Sequence, residues 1–319
     1  MMANWLVMID PPRHTPIRAI HECVFSNELF GSCELVIETV ITDLLTVAAA
    51  RGGFDAAADF AERIPVYVVN GLLGVPRADW EPFVAWSRAI CQTTEPLLSH
   101  DMLREGAQAR EQMAEYFAPL IRQRRGDPGG DVLSGLLHAE SGGVRLTEDE
   151  LLDCLVFLYQ AGHPTGGQLI ALAVHSLLRH PDQLAVLRSD PGLLPGAVEE
   201  LQRFDGPVQM NDRIVLEDVE LFGVQLRAGE LVRLCVAAAN RDGERYPDPH
   251  RLDLTRAVDG QLGYGHGLHS CVAAELGRRQ VRRALAGLLE HAPRLRLSGE
   301  PQFVRSMSNR ALSALPVEF

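Results

Sequence analysis

Apolar residues recur at spacings of three and four through most of this chain, the period of helices that bury one face. "ELVIETVITDLLTVAAARGG" (34–53) keeps the spacing and stops at paired glycines, which predicts a helix with a C-terminal stop. "DWEPFVAWSRAICQ" (79–92) and "MLREGAQAREQMAEYFAPLIRQRR" (102–125) predict two more amphipathic helices, the second closing in the turn "GDPGGD". The longest segment is "LTEDELLDCLVFLYQAGHPTGGQLIALAVHSLLRH" (146–180), where Thr147 and Glu150 form a capping box. Its Leu151–Tyr159 stretch is apolar on nearly every side, as in a helix buried through the centre of a domain. Gly162, Pro164, Gly166 and Gly167 predict a distortion halfway along it. The pattern changes to short alternating runs in "DRIVLEDVELFGVQLRAGELVRLCVAA" (212–238), which predict strands separated by turns. An irregular passage follows, then a helix from Cys271 to about His291 and a last strand-like piece, "ALSALPVEF". The class is mainly α with a small β portion, and no repeat or low-complexity segment divides it. One domain over 1–319 is the expectation.

Composition narrows the classes of function. With 46% hydrophobic and 23% charged residues, the 319-residue chain has ample material for a soluble core. A net charge of −12 gives no support to nucleic-acid binding. The six cysteines include no CxxC pair, which suits reduced thiols and a cytoplasmic protein. The first residues, "MMANWLVMIDPPRHTPIR", lack the basic and then apolar run of a signal peptide or membrane anchor.

The candidate chemistry lies in "GYGHGLHSC" (263–271), a glycine-spaced loop that ends in a cysteine at the mouth of a helix. Unpaired amides and the positive end of the helix dipole favour a thiolate there. The glycines let the backbone pass close to a flat cofactor. Thiolate is an axial ligand for haem iron. A buried structural cysteine and a zinc site drawn from His266, His269 and Cys271 are two other readings of the same residues.

The stretch resembles the cysteine-ligand signature of the cytochrome P-450 superfamily, the haem-thiolate monooxygenases. Tyr264, Gly265, Gly267, His269 and Cys271 stand in its register, with Ala273 where a small residue packs under the haem. "EELQR" matches the family's ExxR helix, and with Arg251 of "PDPHRLDL" the resemblance implies a structural triad of Glu200, Arg203 and Arg251. "MIDPPRHTPIR" is similar to the start of the family's C helix, which implies that His14 and Arg18 hold one haem propionate. Arg213 and His269 fall at the other propionate-contacting positions. In the central helix the family reads Ala-Gly-x-acid-Thr, matched by Ala161, Gly162, His163, Pro164 and Thr165.

The resemblance implies a P-450-like fold, haem b, a small-molecule substrate and a role in secondary metabolism. It also implies oxygen insertion, with Cys271 as the iron ligand and Thr165 beside the oxygen site. Two departures qualify this. Pro164 replaces the acid and cannot relay a proton, so proton delivery would pass to His163 or water, and peroxide-driven oxidation becomes an alternative. A non-redox cyclase, isomerase or binding role is the other alternative. The family's first helix, two sheet strands and B helix have no counterpart before Asp10, which implies an N-terminally shortened member with an open distal side. Exposed strand edges would then favour a homodimer. Arg278, Arg279, Arg282 and Arg283 follow the cysteine on one helix and suit an acidic ferredoxin-type partner. No membrane and no nucleic acid are expected.

Overall fold

A computed structural model describes residues 4–25, 27–94 and 98–319, with side chains 27–32 left aside. The N-terminal half is helical: α1 (His14–Val24), α2 (Asn27–Arg51), α3 (Arg63–Leu72), α4 (Glu81–Gln92), α5 (His100–Gly126) and α6 (Val132–His138). Strand β1 (Gly53–Asp55) and a π-helical turn, Ala56–Ala61, lie between α2 and α3. Helix α7 (Glu148–Arg179) follows, then α8 (Pro181–Ser189) and α9 (Leu194–Asp205). Strands β2 (Asn211–Ile214), β3 (Val219–Leu221), β4 (Val224–Leu226) and β5 (Leu231–Leu234) precede the short α10 (Val236–Ala239). Helix α11 (Ala274–His291) and strands β6 (Arg296–Leu297), β7 (Gln302–Phe303), β8 (Leu312–Ala314) and β9 (Pro316–Glu318) complete the chain. The mainly α class with a small β portion is what the sequence pattern indicates.

Helix α7 is the axis of the molecule. Its first turn carries the expected box, with the Thr147 hydroxyl accepting from the Glu150 amide while the Glu150 carboxylate accepts from the Thr147 amide. Leu155, Tyr159, Ile170 and Leu172 are fully buried along it, and α3, α4, α9 and α11 pack around it. The distortion expected at Pro164 does not interrupt the helix. Proline has no N–H to give the Gln160 carbonyl four residues back. The Cys91 thiol of α4 donates to that carbonyl instead, at 3.5 Å, and the Ser87 hydroxyl donates to the Tyr159 carbonyl at 3.2 Å. Close packing of the π-helical turn explains one glycine: a Cβ at Gly167 would stand 3.0 Å from the Ala61 carbonyl.

Three local expectations are corrected. The last β-like run ends at Leu234, and Val236–Ala239 turns helical. Helix α11 begins at Ala274, three residues after Cys271. The buried charge cluster takes a different third member. Glu200 and Arg203 are paired at 2.6 Å with both side chains fully buried, and the second cation on Glu200 is Arg256, at 3.2 Å. Arg251 is exposed and contributes only its carbonyl, to Arg203 and Arg256. Leu252 and Leu254 are buried, so the alternating chain turns Arg251 outward. Completed this way the cluster neutralises charges that would be costly to bury alone.

Candidate active site

A cavity of about 320 Å³ lies between α7 on one side and the 263–273 loop on the other. Its walls are largely apolar, from Leu6, Val69, Leu158, Leu169 and Leu276 among others. Cys271 and Ala273 form part of its proximal wall.

The loop is held mainly through its backbone. Gly265 and Gly267 have φ of 71° and 77°, a region glycine enters without steric cost. The Gly265 amide donates to the Leu262 carbonyl and the Cys271 amide to the Tyr264 carbonyl, both within 2.9 Å. A Cβ on Gly263 would come 2.1 Å from Gln202 Nε2 and 2.8 Å from its Cγ, so a larger residue there would force the buried Gln202 side chain of α9 to move. Arg18 reaches across from α1, donating to the carbonyls of Leu268 and Ser270 at 2.9 and 2.8 Å. Tyr264 lies under the Arg278 guanidinium, 4.8 Å from the ring centre, and its oxygen packs on Gly277.

Cys271 lines the cavity, where its surface is accessible, and the protein packed round its thiol pushes the pKa up, opposed by the Ala273 amide and by the charges of Arg278 and Arg18. The expected bias toward thiolate is thus reversed, because desolvation of the anion outweighs the amide and the two cations.

At one end of the cavity His14 and His269 stack edge to face, with ring centres 4.8 Å apart beside Arg18. His14 is fully buried, both of its ring nitrogens lack a partner, and so does Nδ1 of His269. Burial, then His269 and Arg18, lower the His14 pKa. His269 and Arg18 line the cavity directly and His14 backs them. Arg18 also pairs with Glu22 at 2.7 Å and His269 Nε2 lies 3.3 Å from Asp10, so the unanswered polar groups of the cluster are the two nitrogens of His14 and Nδ1 of His269. Arg213, expected in the same cluster, is exposed on β2 and donates to the Asp212 carbonyl. Asn211 of the same strand lines the cavity instead.

On the distal wall, Leu158, Ala161, Gly162, Thr165 and Leu169 of α7 face the cavity. A Cβ at Gly162 would meet nothing within 4 Å, so the helix leaves a gap there. The Thr165 hydroxyl donates to the Ala161 carbonyl at 2.8 Å. His163 lies elsewhere: the helical period turns it away from the cavity into the contact with α4. Its Nδ1 is 2.8 Å from the Ser87 hydroxyl, and its Nε2 is 3.5 Å from Glu62. Burial would raise the Glu62 pKa, but His163 and Arg88 hold it at about 2. Sequence reading missed this unit, since Glu62, Ser87 and Arg88 come from two other segments and carry no motif.

Two further expectations are corrected. The zinc reading fails, because among the described residues no three His, Cys, Asp or Glu side chains are grouped to hold a metal ion. The four arginines of α11 are engaged within the molecule. Arg278 pairs with Glu199 at 2.6 Å, Arg279 with Glu34 and Glu275, Arg282 with Glu275 at 2.9 Å and Arg283 with Glu34 at 3.0 Å. Four cations facing three carboxylates make a weak steering patch. Among the described residues no helix is long and apolar enough to cross a membrane.

A planar iron porphyrin fits these residues. A soft sulfur donor faces one wall, the surround is apolar, and the unpartnered ring nitrogens of His14 and His269, beside the Arg18 guanidinium, match its carboxylates. Comparison with known proteins agrees. The Cytochrome P450 family matches residues 89–292. Cytochrome P450 107B1 of Saccharopolyspora erythraea is 40% identical over 312 residues, covering 97% of this chain and 75% of that protein. Cytochrome P450 monooxygenase PikC of Streptomyces venezuelae is 39% identical, over 97% and 74%. Among solved structures, the LnmA cytochrome P450 hydroxylase from the leinamycin biosynthetic pathway of Streptomyces atroolivaceus superposes with a TM-score of 0.90. It is 38% identical over 99% of this chain and 82% of that one. The chain belongs to the cytochrome P450 family. It is a haem-dependent oxidoreductase of that family.

Proposed function

We propose that the chain is a haem b monooxygenase that inserts oxygen into a small, largely apolar organic molecule of secondary metabolism, with Cys271 as the axial ligand. The observation that carries this is the pairing, across one apolar cavity, of the Cys271 sulfur with the open Gly162–Thr165 stretch of α7. Relatives named monooxygenase and hydroxylase, one of them from a biosynthetic pathway, support the same reaction class. Bound in this cavity, haem supplies the iron at which dioxygen is activated by electrons from a partner protein.

The chain's own residues divide the remaining work. Ala273 donates its amide to the sulfur and so limits the charge it places on the metal. Arg18 and His269, backed by His14, hold the propionates. Leu158, Leu169 and Val69 exclude water from the substrate side. The Thr165 hydroxyl can turn from the Ala161 carbonyl to hold a proton at the distal face. Pro164 offers no carboxyl to replenish that proton, and His163 faces the wrong way to do so. A peroxide-driven cycle needs no such delivery, so the second reading, favoured by Pro164, is oxidation supported by hydrogen peroxide.

Turnover of haem-loaded protein on a panel of apolar substrates tests both. The monooxygenase reading expects oxygenated product with a ferredoxin, its reductase and NADH. Product with peroxide alone selects the second reading, and no product under either regime refutes both.

A further inference from the structure

Helix α7 carries a proline at its middle and still runs unbroken from Glu148 to Arg179. A proline inside a helix ordinarily kinks it, because the carbonyl four residues back loses its donor and meets the ring. Helix α4 answers that loss from outside. Its Cys91 thiol reaches the Gln160 carbonyl at 3.5 Å, and Ser87, one turn earlier, reaches the Tyr159 carbonyl at 3.2 Å. Just beyond α4, the Thr94 hydroxyl oxygen accepts from the Gln160 side-chain amide at 3.4 Å. Within α7 itself the Thr165 hydroxyl donates to the Ala161 carbonyl at 2.8 Å. Three successive carbonyls therefore each receive a side-chain donor, at the turn that presents Leu158, Ala161, Gly162 and Thr165 to the cavity.

The three contacts differ in what they replace. In an α-helix the amide four residues on answers each carbonyl, so Tyr159 and Ala161 have the amides of His163 and Thr165, and their side-chain contacts are supplements. The Gln160 carbonyl has no such amide, because residue 164 is proline, and for it the thiol is a replacement. The protein packed round the Cys91 thiol pushes its pKa up to about 12, so the proton it donates stays on sulfur. A thiol is a weak donor, but a carbonyl left unanswered between α4 and α7 carries the larger penalty.

We infer that Cys91 is a positioning residue of the distal wall: its thiol stands in for the amide that Pro164 lacks and keeps the Gly162–Thr165 turn continuous along the cavity. This role rests on the reading of that wall as the oxygen side. Cys91 acts through α7 and touches none of the reacting groups.

Hydrogen exchange on the full-length, haem-loaded chain tests it, read by mass spectrometry over residues 161–168. Cys91→Ala is expected to lower protection there about tenfold, the effect of an unanswered carbonyl. Cys91→Ser keeps a donor and should lose much less. Pro164→Ala restores the backbone N–H, so in that background Cys91→Ala should change protection by less than about twofold. Unchanged exchange in Cys91→Ala overturns the inference. A loss that Pro164→Ala fails to relieve, or that Cys91→Ser reproduces in full, overturns it too, since packing alone would behave so. Product per NADH separates this role from the reaction assigned above. It should fall about threefold in Cys91→Ala and recover when Pro164→Ala is added. A full yield alongside the exchange loss contradicts a positioning role. If the wild type forms no product either, the reaction is refuted, while the expected exchange pattern still supports the replacement of the missing amide by Cys91.

Discussion

The two walls of the cavity are built on different principles. The proximal wall is fixed by backbone: the Cys271 amide on the Tyr264 carbonyl, two glycines with positive φ, and Arg18 donating to two loop carbonyls. The distal wall is a helix with a gap at Gly162, a threonine whose hydroxyl is spent on its own helix, and a proline where an acid would serve. One wall is organised to hold a ligand atom in place. The other leaves room and supplies almost no ionisable chemistry. Cofactor binding and proton delivery are therefore separable in this protein, and substitutions on the two walls should have different consequences.

The largest effect is expected from Cys271→Ser. Turnover should fall at least about a thousandfold, because the hydroxyl is a poor axial ligand, while circular dichroism stays unchanged since the loop is held by backbone. Next, Arg18→Ala removes the loop clamp and, on the proposed reading, a donor to a haem propionate. Hydrogen bonds to charged groups are worth about 1.5–3 kcal/mol, so haem should be lost to apomyoglobin roughly 10- to 100-fold faster with reductant-driven coupling unchanged. The distal wall should answer in the opposite way. Pro164→Glu supplies the missing carboxyl and is expected to raise product per NADH consumed by up to about tenfold, with haem retention and peroxide-driven turnover unaltered. If Pro164→Glu instead alters haem retention, the separation of the walls is wrong.

The smallest effect concerns the fastening of α7. Glu62 titrates at about 2 when folded and at its ordinary 4.5 when unfolded. A depressed carboxylate pKa contributes stability that is full above 4.5 and is lost as pH falls toward 2. The contribution is at most about 3.4 kcal/mol at 1.36 kcal/mol per unit. Glu62→Gln should lower the unfolding free energy at neutral pH and flatten its decline between those limits, followed by urea denaturation at each pH. An unchanged profile would show that the His163–Glu62–Arg88 contacts contribute nothing.

Where sequence reading succeeded and failed follows the same division. The proximal loop was legible because its demands fall on the backbone, and glycine spacing records them directly. The helices and the capping box at Thr147 were legible from period and local chemistry. Side-chain direction was not. His163 sits one residue after the lining Gly162, yet a helix turns about 100° per residue and carries it to the opposite contact. Arg213 and Arg251 sit on strands or turns whose phase is set by which neighbours are buried. The arginines of α11 read as a docking patch because their partners are remote: Glu34 lies 245 residues from Arg279 and Glu199 lies 79 from Arg278.

The central claim, that the Cys271 sulfur faces a haem in this cavity, is tested most directly by one spectrum. Haem-reconstituted wild-type protein is reduced with dithionite under carbon monoxide and its Soret band recorded. The account expects the strongly red-shifted band that a thiolate opposite carbon monoxide produces, lost in Cys271→Ser. A band at the position given by histidine-ligated haem, or no Soret band after reconstitution, would contradict it.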